Sequence, residues 1–201
     1  LNAVGLANPG LEAVRRHDLP WLREHHPALR VIVNVVGHTV NDFVAVVRGL
    51  DREAGITAFE LNVSCPNVER GGLEFGADEA ALADLVRRAR GETGWPLIVK
   101  LSPAAADPAR LASAAVAAGA DGFTCVNTLL GMAVDWRRRT SRVSQPYAGL
   151  SGPAIRPVAL RIVHQVAQAV PVPIFGVGGI ATAEDVCEYL CAGATAVQVG
   201  T

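Results

Sequence analysis

A single thiol stands between two amides in Asn62-Val-Ser-Cys-Pro-Asn67, and Gly71-Gly72 follows a few residues on. Each Asn side chain offers a donor and an acceptor, so a pair of them suits a flat heterocycle edged with carbonyls and N–H groups. A thiol titrates near pKa ~8.5 and can take a proton from a weakly acidic carbon where its surroundings favour the thiolate. Cys65 also has a plainer reading, because a lone cysteine is most often an inert, buried small hydrophobe. The Pro-Asn step and the glycines after it place this cysteine on a loop and argue against a core position.

Other positions carry complementary chemistry. Lys100 sits near the end of the apolar run Leu97-Ile-Val-Lys-Leu101. A buried lysine without a partner is costly, so it either pairs with Glu60 of a neighbouring strand or faces a bound group that gains negative charge. Asn34 interrupts a β-branched run and Asn127 closes another strand-like segment. Each amide could be an ordinary turn cap, but Asn62, Asn67 and Asn127 gathered on one site would form a polar clamp. Val177-Gly-Gly-Ile180 and Val199-Gly-Thr201 are glycine turns in which backbone N–H groups can approach phosphate oxygens, aided by a following helix start. Leu1 to Gly10 holds too many turn residues for a regular element and reads as a loop exposing N–H groups around Gly5. His17, His25, His26, His38 and His164 have no matching carboxylate or second ligand and read as structural or solvent-facing. Cys65, Cys125, Cys187 and Cys191 show no paired C-x-x-C spacing, which signals neither zinc nor a disulfide framework. Cys187 and Cys191, four apart on an expected helix, read as two small buried thiols.

These residues need elements to position them. Helical spacing covers residues 11–25, 40–54, 78–90, 108–118, 153–170 and 182–192, with Thr39 or Asn41 available to cap the second and Asp78 the third. Strand-like runs occupy 30–36, 58–63, 97–101, 123–127, 172–177 and 195–199, the first of them continuous enough to suggest burial on both faces. The stretch 128–151 is irregular, and connections of that length are usually functional or mobile. Repeated β-α units with unalternating apolar strands imply a parallel sheet, either an eight-stranded barrel or an open doubly wound sheet. A polar or glycine position stands at or just past every strand's C-terminal end: Asn34, Asn62, Lys100, Asn127, Gly178 with Gly179, and Gly200 with Thr201. A barrel gathers all such ends around one mouth, whereas an open sheet concentrates them at one switch point. The expectation is therefore an α/β fold, a TIM (β/α)8 barrel with about six of its eight strands present. Residues 1–201 would form one partial domain, with two strands expected before Leu1 and a last helix after Thr201.

With 201 residues, half of them apolar, the chain can bury a sizeable core. A net charge of -1 gives no electrostatic footprint for nucleic acid or an anionic membrane. No apolar run approaches the roughly 20 residues of a membrane helix, and no leader pattern opens the chain. A soluble, cytoplasmic protein is expected.

The motifs taken in order resemble one family. Asn2-Ala-Val-Gly-Leu-Ala-Asn-Pro-Gly10, Asn62-Val-Ser-Cys-Pro-Asn67 with Gly71-Gly72 and Phe75-Gly76, Val99-Lys-Leu-Ser-Pro103, Val126-Asn-Thr-Leu-Leu-Gly-Met132, Gly149-Leu-Ser-Gly-Pro-Ala-Ile155, Gly176-Val-Gly-Gly-Ile180 and Gly200-Thr201 look like the class 1 dihydroorotate dehydrogenases. Cysteine in Ser-Cys-Pro-Asn points to class 1, and the wording of the glycine motifs is most similar to the class 1B, NAD-linked catalytic subunit. The resemblance implies oxidation of (S)-dihydroorotate to orotate in pyrimidine biosynthesis. Cys65 would remove the C5 proton while a hydride leaves C6 for FMN. Asn2, Asn62, Asn67, Asn127 and Thr128, with the N–H groups of Val4, Gly5 and Leu6, would hold the substrate. Lys100 would stabilise the reduced, anionic flavin ring, Asn34 and Val126 would touch flavin or ribityl, and Gly152, Gly178, Gly179, Gly200 and Thr201 would serve ribityl and phosphate. It also implies a homodimeric core and a partner subunit that carries FAD and a 2Fe-2S cluster and passes electrons to NAD.

The alternatives are a class 1A, fumarate-linked enzyme, a dihydropyrimidine dehydrogenase-like enzyme, or an inactive, truncated phosphate-binding barrel. In the family the first two barrel strands supply further flavin contacts and a substrate-binding lysine. The isolated 201-residue chain is therefore expected not to bind FMN tightly. Recovery of stoichiometric FMN with that chain, read from its visible absorbance after gel filtration, would refute this.

Overall fold

The computed structural model describes residues 1–64, 66–67 and 73–200, with Pro66, Asn67, Leu73 and Glu74 described by backbone alone. Six strands form one parallel sheet: β1 (Val31–Val35), β2 (Ile56–Asn62), β3 (Leu97–Leu101), β4 (Gly122–Cys125), β5 (Ile174–Val177) and β6 (Ala196–Gln198). They lie side by side in the order in which the chain makes them. Such an order contains no reversal and hence no switch point, so the sheet is the curled wall of a TIM barrel and not a doubly wound sheet. Helices α1 (Val40–Leu50), α2 (Glu79–Arg90), α3 (Pro108–Ala117), α4 (Arg156–Ala169) and α5 (Ala183–Ala192) alternate with the strands, and each packs on the next. Ahead of β1 the helical stretch expected over 11–25 forms with a π-helical middle, Val14–Asp18, between α-helical Leu11–Ala13 and Leu19–His25.

Local chemistry explains where the helices start. Thr39 caps α1 and Thr182 caps α5, each in a reciprocal box with the Asp three residues on, Asp42 and Asp185. Asp78 and Asp107 accept from Ala81 N–H and Arg110 N–H to cap α2 and α3.

Strand alternation then sorts the side chains. Phe59, Leu61 and Val63, Leu97, Val99 and Leu101, and Phe123 and Cys125 are wholly buried in the core cluster they share with Leu82, Leu85, Val86, Ile162, Val163 and Val166 of the helices. Burying each large side chain contributes roughly 1.5–3 kcal/mol. The intervening positions Glu60, Asn62, Lys100 and Thr124 therefore point to the other side of the sheet, the barrel interior. Under Gly176 of β5 lies the Tyr189 ring of α5, fully buried.

Three expectations are corrected. β1 is not buried on both faces: it pairs with β2 alone among the described residues, and Ile32 is 37% exposed. The stretch 128–151 is not irregular throughout. Leu129–Gly131 pairs antiparallel with Ala148–Leu150, and Val134–Asp135 with Thr140–Ser141, giving a jointed arm. Cys187 and Cys191 are exposed, because α5 turns Asp185 and Tyr189 inward and these thiols lie on the other side of the helix. The five histidines are exposed, as expected.

A Cβ at position 176 would overlap the Tyr189 ring, 3.0 Å from Cγ, where nothing can give way. Gly176→Ala is expected to destabilise the protein by about 1–3 kcal/mol, the usual cost of overpacking. Urea unfolding followed by far-UV circular dichroism checks this.

Candidate functional site

Register sets the interior polar residues at neighbouring positions of adjacent strands. Asn34 of β1 is paired with Glu60 of β2, Asn62 with Lys100 of β3, and Lys100 with Thr124 of β4. Glu60, 4% exposed, is the hub. Asn34 Nδ2 donates to its Oε1 at 2.6 Å, Gln198 Nε2 donates to Oε2 at 3.0 Å, and the Thr124 hydroxyl also donates to Oε2. Lys100 Nζ lies 3.7 Å from Oε1. The ion-pair reading of Lys100 is thus realised, and its side chain keeps 19% exposure.

A second polar chain runs along the rim. Asn127 Nδ2 donates to Asn62 Oδ1 at 2.8 Å, and Asn62 Nδ2 reaches Asn34 Oδ1 at 3.4 Å. Asn127 Oδ1 in turn accepts the Thr128 N–H at 2.7 Å. Asn62 and Asn127 border a cavity of about 610 Å3 whose walls also include Asn2, Gly5, Leu6, Thr128 and the arm residues Gln145 and Tyr147. Asn2 is held there by a two-way backbone bridge to Gly149 of the arm, at 3.0 and 2.9 Å. Only glycine fits at 149, since a Cβ would meet Thr128 Oγ1 at 2.6 Å. A hydroxyl on the same cavity, Ser64 Oγ, is buried and finds no partner among the described residues. Val4 is not part of this lining: it is exposed, with its N–H directed to Asn2 Oδ1 at 3.5 Å.

The glycine turns lie further round the rim. Gly178 and Gly179 both have positive φ, 131° and 70°, and at Gly179 a Cβ would collide with the Gly152 backbone, so two loops meet there at the closest approach glycine allows. Tyr189 fixes the turn from beneath by donating its hydroxyl to Gly178 O at 2.7 Å. Space is open around Gly152 and Gly200. Val126 is buried beneath the mouth, with its N–H on Val177 O at 3.1 Å. Burial pushes the Cys125 thiol up to about 12, so this cysteine is no candidate nucleophile.

Cys65 and Thr201 lie outside the described residues. Asn67 is described by backbone only, in a short antiparallel pair of Pro66–Asn67 with Leu73–Glu74 directly after β2. Sequence reasoning missed Thr124, Gln198, Ser64 and the arm's Gln145 and Tyr147. Gln198 alone carried a signal, as a polar interruption of an apolar strand like Lys100. Among the described residues no three His, Cys, Asp or Glu side chains gather as a metal site, and no helix is long and apolar enough to cross a membrane.

Parallel strands that deliver amides, a lysine and paired glycine turns to one rim define a β/α-barrel site. A family model described as dihydroorotate dehydrogenase matches residues 1–201, and the chain belongs to that family. Over all 201 residues it is 50% identical to proteins of Bacillus thuringiensis (strain Al Hakam) and Bacillus cereus (strain AH187), both named dihydroorotate dehydrogenase B (NAD(+)), catalytic subunit. The chain spans 64% of the length of these relatives. The family is flavin-dependent. The residues present fit such a group: glycine loops with open space for a phosphate, and a cation and amides at the level of the mouth.

Burial also raises the Tyr189 phenol from 10.0 to about 12, against the pull of Arg156. A folded-state value above the unfolded one favours folding fully below pH 10.0, and this contribution is lost as pH rises toward about 12. Tyr189→Phe, lacking the hydrogen bond to Gly178, is expected to be about 1 kcal/mol less stable than the parent at pH 8. The gap should shrink as pH rises from 10 to 12. Urea unfolding of both proteins across that range tests it.

Proposed function

We propose that this chain is the larger part of a dihydroorotate dehydrogenase catalytic subunit, which oxidises (S)-dihydroorotate to orotate in pyrimidine biosynthesis. The observation that carries the reading is the meeting of Asn2, Asn62 and Asn127 on one cavity of about 610 Å3, one strand away from Lys100. Pockets of roughly 300–1,000 Å3 are the usual size for small ligands. An array of amides matches a ring whose edge alternates carbonyl and N–H groups.

In this reading Asn2, Asn62, Asn67 and Asn127, with Thr128 and the N–H groups of Gly5 and Leu6, orient the pyrimidine ring and its carboxylate, while Val4, expected from sequence to join them, turns its N–H to Asn2. Cys65 takes the proton from C5 as the C5–C6 double bond forms. FMN, when bound, supplies the acceptor for the hydride that leaves C6. Lys100 would hold positive charge beside the ring, Asn34 and Val126 would border ring and ribityl, and Gly152, Gly178, Gly179, Gly200 and Thr201 would hold ribityl and phosphate.

The sheet edges support a larger barrel. Among the described residues β1 and β6 each have one strand neighbour, and Ile32 and Val199 are 37% and 65% exposed beside them. Unpaired edges with apolar side chains call for cover, so the natural barrel is proposed to have two further strands and another helix there. The relatives' designation as catalytic subunits of an NAD(+) enzyme supports a partner subunit that passes electrons to NAD. An FAD and a 2Fe-2S cluster on that partner, a homodimeric core and a cytoplasmic location belong to the same proposal.

In the full-length protein Cys65→Ala is expected to slow reduction of the flavin by dihydroorotate about 10²–10⁴-fold near neutral pH, the usual contribution of a positioned base. Cys65→Ser should recover activity only as pH is raised, since a hydroxyl is a far weaker acid than a thiol. Anaerobic stopped-flow measurement of flavin absorbance decides the matter. An undiminished rate in Cys65→Ala would remove Cys65 from the mechanism.

A further inference from the structure

Glu60 has no part in the reaction proposed above, does not line the substrate cavity, and yet is the most elaborately held side chain of the barrel interior. Every neighbour presents it with a donor: Asn34 on one oxygen, Gln198 and the Thr124 hydroxyl on the other, and the Lys100 ammonium 3.7 Å from Oε1. Only a group that accepts on both oxygens satisfies that set, because a glutamine here would turn its own N–H groups on at least one of these donors. A purely structural staple does not need the charge. Buried ion pairs are generally no more stabilising than well-packed apolar residues of the same volume, so stability alone does not account for this one.

A use for the charge follows from what the carboxylate does to Lys100. Asn34, Thr124 and Gln198 come from β1, β4 and β6, so Glu60 is fixed from three strands before Lys100 is considered. Lys100 is a long, flexible side chain whose head is placed by this fixed anion. The same anion offsets part of the ammonium's charge.

We propose that Glu60 is a positioning and charge-balancing residue for Lys100, which sets how strongly the site favours reduced over oxidised flavin. The inference rests on the flavin reading given above. A negative charge beside Lys100 weakens the site's preference for the extra negative charge of the reduced ring, so Glu60 holds the flavin's midpoint potential down.

The test is a potentiometric titration of the full-length, flavin-loaded protein, followed by visible absorbance with reference dyes, alongside thermal unfolding. Glu60→Gln is expected to shift the balance about tenfold toward reduced flavin, ~30 mV upward for a two-electron couple. Glu60→Asp keeps the charge but draws it one methylene away from Lys100, and a smaller upward shift is expected. An unchanged potential with a lowered melting temperature would make Glu60 a structural staple only and overturn the inference, as would a potential that falls. Should Glu60→Gln yield no flavin-loaded protein, Glu60→Asp decides alone: a raised potential supports the proposal, and an unchanged or lowered one overturns it. A parent protein that takes up no flavin would overturn the functional reading and this inference together, whereas a loaded parent with a potential indifferent to both variants overturns the inference alone.

Discussion

A carboxylate enclosed by a barrel wall must be surrounded by donors, and this requirement governs the interior of the molecule. Four strands answer it: Asn34, Lys100, Thr124 and Gln198 all converge on Glu60. A group left unpaired at such depth would cost about 1–3 kcal/mol, and more if charged. Strand register is therefore constrained from the inside by polar partners as well as from the outside by packing on the helices. A slip of one residue at β3 would send Lys100 into the apolar layer and Val99 or Leu101 toward Glu60.

The rim inherits its geometry from that layer. Asn62 is two residues beyond Glu60 on the same strand face, so fixing the carboxylate also fixes the amide above it. Asn127 then leans on Asn62, and Thr128 on Asn127. The cavity wall is completed by a segment remote in sequence, Asn2, Ala3, Gly5 and Leu6, which is held to the arm through the Asn2 and Gly149 backbones. Positional precision passes upward from the interior, which is how a loop-built site can be as rigid as the wall beneath it.

The elements that position the site were readable from sequence because each has a local cause: apolar and β-branched runs for the strands, Thr39 and Asp78 for two helix starts, and a polar or glycine residue at every strand end. What could not be read depends on neighbours. Thr124 is unremarkable in Phe123-Thr-Cys125 until parallel pairing sets it beside Lys100 and across from Glu60. The arm escaped notice because its paired segments are only two or three residues long and carry no sustained alternation. The exposure of Cys187 and Cys191 was misjudged because helix spacing places them together on one face but does not say which face meets the sheet.

Strands that pair only with their immediate predecessors also shape how the chain assembles. Each new β-α unit docks on the one just formed, so the loops closed at every step stay short and folding can proceed from the N-terminus as synthesis does. The interior polar cluster breaks that pattern. Gln198 reaches Glu60 across 138 residues of sequence, which makes the floor of the site the last part of the described wall to be completed. Until β6 arrives, the pocket above would rest on a carboxylate lacking one of its donors, so a partly grown barrel has its rim residues in place before their support is finished.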